Sequence, residues 1–486
     1  MAVEISRNQI EKLVEEVVRR VRAQSAPPPV ATAAPAPPAP ARATTAGSLQ
    51  GVYGAVDEAV AAAGENFERF RSVPLARRRV FVAAMRRAAE EHAEELARQA
   101  VEETGLGRAE HKVQKNLLAA RKTPGVEDLA PQCHTGDDGL TLIEPAPFGV
   151  VGAITPCTNP AATIINNSLS LVAAGNAVVF NPHPAARAVT NRTVHLLNRA
   201  IEQAGGPPAL ICSLAEPSLD TSRAIMRHPG VRLLLVTGGG AVVQEAMSSG
   251  KRTIAAGPGN PPVIVDDTAD ISHAARCIVD GASFDNNILC TAEKEVFVYE
   301  NVADRLLEQM LEQGAQLVEG AALERLVERV VQPGQPHPHP VRDFVGRDAR
   351  VLAEVAGITA GERTRLLVCR VDFDHPLVQA EMLMPLLPIV GVRDLDQALE
   401  LARRAEHGYK HSAMMHSENV SRMSRVAREI ETTIFVKNAP SYAGLGFGGE
   451  GFATLSIAGP TGEGLTSART FTRQRRCVLA GAFRIV

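Results

Sequence analysis

The stretch FGVVGAITPCTNPAATIINNSLSLVAAGNAVVFNPHP, residues 148–184, decides the fold class. Its apolar run at 150–154 predicts a strand, residues 161–174 predict a helix, and 177–180 predict a second strand. The alternation continues through a helix at 186–205, a strand at 211–214, a helix ending near 228 and a strand at 231–236. Such alternation is typical of βαβ units around a parallel sheet that is covered on both faces.

A second run of the same kind begins at Pro262. It predicts strands at 263–265, 295–299 and near 366–369, with helices between them. A chain of 486 residues has enough material for two buried cores. The sequence therefore predicts an α/β fold with two doubly wound parallel-sheet domains.

Composition excludes several classes of function. The chain is 45% hydrophobic and 22% charged, with a net charge of −3. It therefore has no overall positive electrostatic potential that would attract nucleic acid or an anionic membrane. It has neither a run of about 18 apolar residues nor the apolar core and cleavage site of a secretory signal. We expect a cytoplasmic protein that binds neither nucleic acid nor membrane.

Cysteine and histidine patterns argue against a metal site. The seven cysteines are odd in number and contain no Cys-x-x-Cys pair, which favours neither a disulfide framework nor a zinc ribbon. His337 and His339 lie between prolines in a predicted loop at 333–340. Without a third ligand nearby, such a pair favours solvated surface over metal binding. We expect no metal.

The first 46 residues differ from the rest. Residues 25–46 contain seven prolines and nine alanines with one charged residue, a composition that favours an extended, semi-rigid tether. Residues 1–24 predict a short amphipathic helix, because apolar side chains recur with helical spacing at Ile10, Leu13, Val14, Val17, Val18 and Val21.

The apolar face of this helix needs a partner, because isolated helices under about 12–15 residues are marginal in water. It can dock on the protein's own body or fellow subunits, on a groove of another protein, or on a membrane. Local docking needs no tether, and the polar face mixes acids with bases while the apolar face lacks an aromatic anchor. The pattern therefore favours a groove on another protein.

A glycine turn is the first candidate for chemistry. Thr237-Gly238-Gly239-Gly240 follows the strand at 231–236 and precedes a helix starting near Ala241. Glycines at such a junction let backbone N–H groups approach a phosphate. The pattern is not the G-x-G-x-x-G fingerprint, and an ordinary flexible turn explains it as well.

Cys290 is the second candidate. It lies in a polar loop between a helix ending near Gly281 and the strand at 295–299. A thiol with an ordinary pKa near 8.5 is mostly protonated at pH 7, so a nucleophile needs a shifted pKa or a nearby base. Of the other cysteines discussed, Cys133 and Cys157 also fall in predicted loops, whereas packing explains Cys212, Cys277 and Cys369.

Asn159 is the third candidate. It lies between two prolines just after the strand at 150–154, where its amide could donate to a developing oxyanion. An Asx turn that caps the next helix is an equally good interpretation.

These features, in this order, resemble the aldehyde dehydrogenase superfamily from about Gly47 to the C-terminus. Residues 155–160 resemble its P-W-N segment, residues 237–240 its T-G-S turn, and residues 381–385 its E-x-F-G-P segment. The resemblance implies that Cys290 is the nucleophile and Asn159 the oxyanion-hole amide. It also implies cofactor contacts from Thr155, Pro156, Asn181, Pro182, His183, Thr237, Gly238, Gly239, Glu381 and Pro385.

Two departures from the family pattern point to one branch. Hydrolytic members carry a glutamate in an E-L-G-G-K segment that activates water, whereas residues 254–262 here place alanine at that position. The K-P-S-E segment that grips the adenosine ribose is replaced by Asn181-Pro182-His183-Pro184. Both departures resemble the CoA-acylating aldehyde dehydrogenases. Within that branch, residues 154–160 and 457–464 resemble the propionaldehyde and acetaldehyde enzymes of bacterial microcompartments.

The resemblance implies an NAD-dependent enzyme that converts a short-chain aldehyde and CoA to acyl-CoA. It further implies that residues 1–24 bind a microcompartment shell protein and that the enzyme is a homodimer or homotetramer. A hydrolytic enzyme with a relocated base, or a protein that chiefly organises an assembly, remain alternatives. The glycine-rich segment 446–451 is expected to border the CoA entrance or to be a plain surface turn.

The resemblance also implies domain boundaries. They are a targeting helix at 1–24, a linker at 25–46, an NAD-binding domain at 47–257 with oligomerisation strands inserted at 128–146, a catalytic domain at 258–466 and an oligomerisation strand at 467–486.

Overall fold

The computed structural model describes residues 49–486. The predicted helix at 1–24 and the linker at 25–46 lie outside the described residues. No helix of the described residues is both long and apolar enough to cross a membrane.

Helices and strands alternate along most of the described chain. The α-helices are α1 Val56–Phe70, α2 Leu75–Glu91, α3 Ala93–Thr104, α4 Ala109–Lys122, α5 Pro160–Ala173, α6 Arg187–Gln203, α7 Leu219–Arg227, α8 Gly240–Met247, α9 Ile271–Ser283, α10 Glu300–Glu312, α11 Gly320–Val330, α12 Ala349–Ala356, α13 Pro376–Gln379, α14 Leu395–Ala405 and α15 Val420–Ile430. The strands are β1 Val52–Tyr53, β2 Gln132–Gly136, β3 Gly139–Pro147, β4 Val150–Ile154, β5 Ala177–Asn181, β6 Ile211–Leu214, β7 Val231–Thr237, β8 Thr253–Ala256, β9 Pro262–Val265, β10 Glu295–Tyr299, β11 Ala315–Leu317, β12 Val331–Gln332, β13 His339–Pro340, β14 Leu366–Arg370, β15 Leu386–Val392, β16 Ser412–His416, β17 Ile434–Lys437, β18 Ile457–Ala458, β19 Gly464–Leu465 and β20 Thr472–Ala480.

The first large sheet has the strand order β1-β6-β5-β4-β7-β8, with all pairs parallel. Every residue of β4, β5 and α5 is buried, because helices cover both faces of a parallel sheet. The chain moves outward from β4 through β5 and β6, and then returns to add β7 on the other side of β4. The gap between the carboxyl ends of β4 and β7 is therefore a topological switch point, where doubly wound folds bind ligands.

The second large sheet has the order β11-β14-β15-β10-β9-β16-β17 and is also parallel. Its strands β9 and β10 are completely buried, and their amino ends pair Pro262 with Glu295. Hydrophobic clusters lie on both faces of this sheet. The predicted fold class, with two doubly wound parallel sheets, is confirmed.

A third sheet is antiparallel, with the order β2-β3-β20. The nine residues of β20 pair with β3 in one register, from Thr472 opposite Pro147 to Ala480 opposite Gly139. At the free edge, Val478 is 59% and Leu479 45% exposed. Strand β20 therefore pairs along its whole length with β3.

Two local predictions were wrong. Cys133 lies in β2, not in a loop, and pairs with Leu142 of β3. The predicted loop at 333–340 includes a short strand, since His339–Pro340 pairs with Val331–Gln332. This ladder is only two residues long, too short for hydrophobic periodicity to reveal it. His337 is half-buried, with its ring stacked on His407 at 3.5 Å between centroids, whereas His339 is exposed.

Candidate active site

Cys290 follows an unusual backbone segment. Asp285, Asn286 and Asn287 have φ values of +48°, +54° and +64°, so three consecutive residues adopt the left-handed conformation. Asp and Asn tolerate this region better than other non-glycine residues, yet each instance costs about 1–2 kcal/mol. Such strain persists only where the surroundings impose it, and it clusters at functional sites.

Lys294 fixes this turn through hydrogen bonds from its side chain. Its buried Nζ donates to the Asn287 side-chain oxygen at 2.7 Å, the Asn287 carbonyl at 3.1 Å and the Leu289 carbonyl at 2.9 Å. All three N–H donors of the ammonium group are therefore satisfied within the loop. The loop that carries Cys290 is thus fixed by a lysine only four residues further along the chain.

The Cys290 thiol is protonated at neutral pH in this structure. Burial raises its pKa to about 11, and the nearby Glu381 carboxylate acts in the same direction. The ammonium groups of Lys294 and Lys115 oppose this effect without cancelling it. A base must therefore remove the proton before the sulfur can attack.

Two proton acceptors lie near Cys290. Burial raises the pKa of Glu381 to about 7, against the opposing field of Lys294 and a hydrogen bond from the Gly259 backbone. Burial lowers the pKa of His411 to about 4, so its ring is neutral at pH 7. Gly259 separates His411 from the loop, since a Cβ there would lie 2.8 Å from His411 Cγ and 3.0 Å from the Cys290 carbonyl oxygen.

Asn159 is the residue before α5, at the carboxyl end of β4. Its side chain makes no capping hydrogen bond to the helix, so the Asx-turn interpretation does not describe it. Its Oδ1 accepts from Lys115 Nζ, and its Nδ2 donates to Thr158 Oγ1 at 3.3 Å. The amide is buried and oriented by neighbours on both sides.

The predicted cofactor residues of β4 and β7 meet at the switch point. Thr155 and Pro156 continue from β4, while Thr237, Gly238 and Gly239 end β7 and precede α8. Thr155 Oγ1 is buried without a hydrogen-bond partner, and no atom lies within 4 Å of a Cβ built on either glycine. An orphaned hydroxyl beside open backbone fits a polar ligand such as a dinucleotide.

The segment Asn181-Pro182-His183 contributes differently. The Asn181 side chain donates to Ser222 Oγ at 3.1 Å and accepts from Thr221 Oγ1 at 2.6 Å, so its amide binds the first turn of α7. His183 is exposed, and its Nδ1 accepts from the Ala185 backbone at 3.1 Å. Any cofactor contact in this segment is thus left to His183 and the backbone.

The segment Glu381 to Pro385 lies next to the nucleophile loop. Within this segment, Glu381 is the residue whose charge acts on Cys290. The Pro385 carbonyl accepts a hydrogen bond from the Leu367 backbone at 2.9 Å. Leu383 adopts φ +51°, and its carbonyl accepts from Gly346 at 2.8 Å. Pro385 therefore shapes the entry into β15, and Glu381 is the member placed to act on Cys290 or a ligand.

An apolar cavity opens in front of the nucleophile loop. Phe284, Tyr442 and Phe447 form its aromatic wall, with ring centroids 5.2–6.0 Å apart. The cavity is lined by Gln114, Lys115, Leu118, Phe284, Leu289, Tyr442, Leu445, Phe447 and Leu455. Its surface suits a small molecule with a short apolar tail.

Comparison with known proteins agrees with this architecture. Residues 38–452 match the model of the aldehyde dehydrogenase family. The chain is 51% identical over 441 residues to an acetylating acetaldehyde dehydrogenase of Salmonella typhimurium, covering 90% of this chain and 94% of that protein. The chain belongs to the aldehyde dehydrogenase family.

Two solved structures of this family are similar throughout. A propionaldehyde dehydrogenase from the fucose utilisation bacterial microcompartment of Clostridium phytofermentans is 47% identical, with a TM-score of 0.88 over 90% of this chain and 100% of that one. A Rhodopseudomonas palustris propionaldehyde dehydrogenase with bound CoA and an acylated cysteine is 46% identical, with a TM-score of 0.86 over 89% and 98%.

The family's hydrolytic glutamate has no counterpart in β8. Ile254, Ala255 and Ala256 are buried there, in the stretch that resembles the E-L-G-G-K segment of hydrolytic aldehyde dehydrogenases. Ala255 N–H donates to Thr461 Oγ1 at 3.0 Å, so the strand packs against protein at this point.

Sequence reasoning missed five polar residues of this aldehyde dehydrogenase site: Lys112, Lys115, Asp285, Lys294 and His411. Two signals could have found some of them. The Asp-Asn-Asn run at 285–287 is a left-handed turn signal, and Lys112 and Lys115 share one face of a helix at i, i+3. Neither signal says that α4 and the nucleophile loop meet.

Proposed function

We propose that this protein converts a short-chain aldehyde, CoA and NAD⁺ to acyl-CoA, NADH and a proton. The observation that carries the proposal is the Cys290 loop beside an apolar cavity, which is lined by Leu289 of that loop and by Lys115, the lysine that donates to the Asn159 amide. In the same site β8 supplies no hydrolytic carboxylate. The acetylating relative and the relative with CoA and an acylated cysteine support it.

The first half-reaction forms a thioester on Cys290. Glu381 or His411 takes the thiol proton, the sulfur attacks the aldehyde carbon, and Asn159 Nδ2 with the Cys290 backbone N–H donates to the resulting oxyanion. NAD⁺ supplies the hydride acceptor when it is bound. Thr155, Pro156, Thr237, Gly238, Gly239, His183 and Glu381 are the residues proposed to hold it.

The second half-reaction transfers the acyl group to CoA. A general base contributes about 10²–10⁴-fold to a rate, so we expect a site whose β8 lacks the hydrolytic glutamate to hydrolyse the thioester poorly. The CoA sulfur attacks the thioester carbon, Cys290 leaves as a thiolate, and the proton of the CoA thiol passes to Cys290 and restores its thiol. The proton that the base took in the first half-reaction is released. Two half-reactions that share one acyl-enzyme predict ping-pong kinetics.

NADH formation from two- to five-carbon aldehydes, with and without CoA, tests the proposal. We expect one equivalent of NADH per site without CoA and sustained turnover with it. Sustained turnover without CoA would instead identify an acid-forming enzyme, and no turnover on any aldehyde would favour an assembly role. Cys290→Ser should lose the NADH burst, while Cys133→Ser on β2 should keep it.

We propose that residues 1–24 address the enzyme to a shell protein of a bacterial microcompartment. The relative from a fucose utilisation microcompartment supports this, as does the proline- and alanine-rich composition of residues 25–46, which predicts a tether after a predicted helix. A fluorescent protein carrying residues 1–46 should co-purify with shell proteins of the host, whereas one carrying only residues 25–46 should not. Equal recovery of the two fusions would refute the targeting role.

We propose that the chain has the domain boundaries that the resemblance implies. We also propose that at least two copies of the chain associate. The first sheet ends at Ala256 and the second begins at Pro262, which agrees with a boundary near residue 257. The exposed edge of β20 supports association of two copies through the antiparallel sheet, because the unpaired backbone groups of an edge strand, here with Val478 and Leu479 exposed, favour pairing with another chain.

A further inference from the structure

An oxyanion hole built from a side-chain amide has an orientation problem. The amide of Asn159 carries a donor and an acceptor at the two ends of one planar group, and a half-turn about its last torsion exchanges them. Only the Nδ2 end stabilises negative charge on oxygen. An oxyanion-hole asparagine therefore needs a neighbour that fixes which end faces the substrate.

Lys115 supplies that neighbour. Its Nζ donates to Asn159 Oδ1, and its side chain is only 4% exposed. An ammonium group has three donors and no acceptor, so it can face Oδ1 but not Nδ2. With Oδ1 held, one N–H of Nδ2 donates to Thr158 Oγ1, and the other has no partner among the described residues.

Asp285 in turn holds Lys115. Its Oδ2 accepts from Lys115 Nζ and from Lys112 Nζ, the latter at 3.1 Å, and its Oδ1 accepts from the Arg108 backbone at 2.7 Å. Asp285 belongs to the left-handed turn before Cys290, so helix α4 contacts the nucleophile loop through it. Lys112 Nζ also donates to the Thr158 carbonyl at 3.2 Å.

We propose that Lys115 is the positioning residue of this reaction: it orients the Asn159 amide as an oxyanion donor and, through Asp285, sets its place relative to Cys290. The inference rests on the proposed roles of Cys290 and Asn159. Loss of a whole oxyanion donor lowers the rate by about 10²–10³-fold. Loss of the orientation of the Asn159 amide can therefore lower the rate by no more than this.

A double-mutant cycle tests the inference. We compare Lys115→Met, Asn159→Ala and the double variant in single-turnover NADH formation from propionaldehyde, the half-reaction that needs the oxyanion hole. Lys115→Met should slow this step about 10- to 100-fold. In the Asn159→Ala background the same substitution should change the rate less than about threefold, because the group it orients is gone.

Alkylation of Cys290 by iodoacetamide is the second readout, since displacement of iodide forms no oxyanion. Its limiting rate at high pH, where the thiol is ionised, should differ less than about threefold between Lys115→Met and wild type. Lys112→Met is the matched control. It removes the other lysine of Asp285 but no contact to Asn159, so its effect should be the same with and without the Asn159→Ala change.

The outcomes separate two failures. If wild type forms no NADH burst, the proposed function is wrong. Suppose that wild type is active and that Lys115→Met slows NADH formation by the same factor in the Asn159→Ala background as in wild type, or slows the limiting alkylation rate by the same factor as NADH formation. Lys115 then does not act through the amide, and the inference is overturned. If Lys115→Met does not fold, Lys115→Arg decides: it keeps donors toward both partners and should retain at least about a third of the wild-type burst rate.

Discussion

Cys290 combines a raised pKa with a neighbour that is itself titratable. The Glu381 carboxylate contributes to the pKa of about 11, and its own pKa is about 7. As pH rises through 7, Glu381 becomes negative and makes ionisation of the thiol harder. The free enzyme should therefore react with iodoacetamide slowly at pH 7 and increasingly toward pH 11.

Glu381→Gln removes that negative charge at nearly constant volume. We expect the midpoint of Cys290 alkylation to move to lower pH, because the largest electrostatic opponent of the thiolate is gone while Lys294 remains. The measurement is the alkylation rate of the free enzyme from pH 6 to 11. Glu300→Gln on α10 is the control, and a midpoint unchanged or raised in Glu381→Gln would contradict this account.

Among the elements, the glycine-rich segment 446–451 does more than turn the chain. Phe447 lies in the aromatic wall of the apolar cavity, and Lys122 at the end of α4 donates to the Gly446 carbonyl at 2.7 Å and the Gly449 carbonyl at 3.0 Å. Ala453 N–H donates back to the Lys122 carbonyl at 2.9 Å. The segment thus forms part of the pocket wall and is fastened to the helix that carries Lys115.

Lys122→Met should loosen this wall. A hydrogen bond from a charged donor contributes about 1.5–3 kcal/mol when buried and less at this partly exposed position, so we expect the KM for aldehyde to rise about 3- to 10-fold. Lys251→Met is the matched control, because Lys251 also donates to two backbone carbonyls, those of His228 and Val231 at the start of β7, both at 2.8 Å. Steady-state kinetics decide, and an equal rise of KM in both variants would argue against a local effect.

The same elements show why sequence predicted the scaffold better than the site. Strands β4 to β7 were placed within a residue or so, because buried parallel strands are continuous apolar runs between turn signals. Helix α4 has only a modestly apolar face, since Lys112, Lys115 and Asn116 are buried on it. Their partners lie up to 173 residues away, so no local pattern announces them.

On the scale of the whole molecule, the proposed dimer depends on the third sheet. Exposed apolar residues lie along the C-terminal end: Val478 and Leu479 belong to β20, and Phe483, Ile485 and Val486 follow the strand. An exposed apolar edge of this kind is a liability for a monomer, because its unpaired N–H and C=O groups and side chains are open to any other strand. Pairing of β20 with β20 of a second copy would cover the unpaired backbone groups and the exposed apolar side chains of both copies.

Charge on that edge should separate the copies. We expect Val478→Asp with Leu479→Asp to shift the mass found by sedimentation velocity to that of one chain, because two like-charged edges repel and lose apolar burial. Val420→Asp is the control, since Val420 is 69% exposed on α15 and lies outside the third sheet. The dimer would use another surface if the double variant kept the wild-type mass, and a monomeric wild type would refute the proposed association itself. Because β20 still pairs with β3 in either case, the NADH burst should persist in the separated copies, which distinguishes a lost interface from a lost fold.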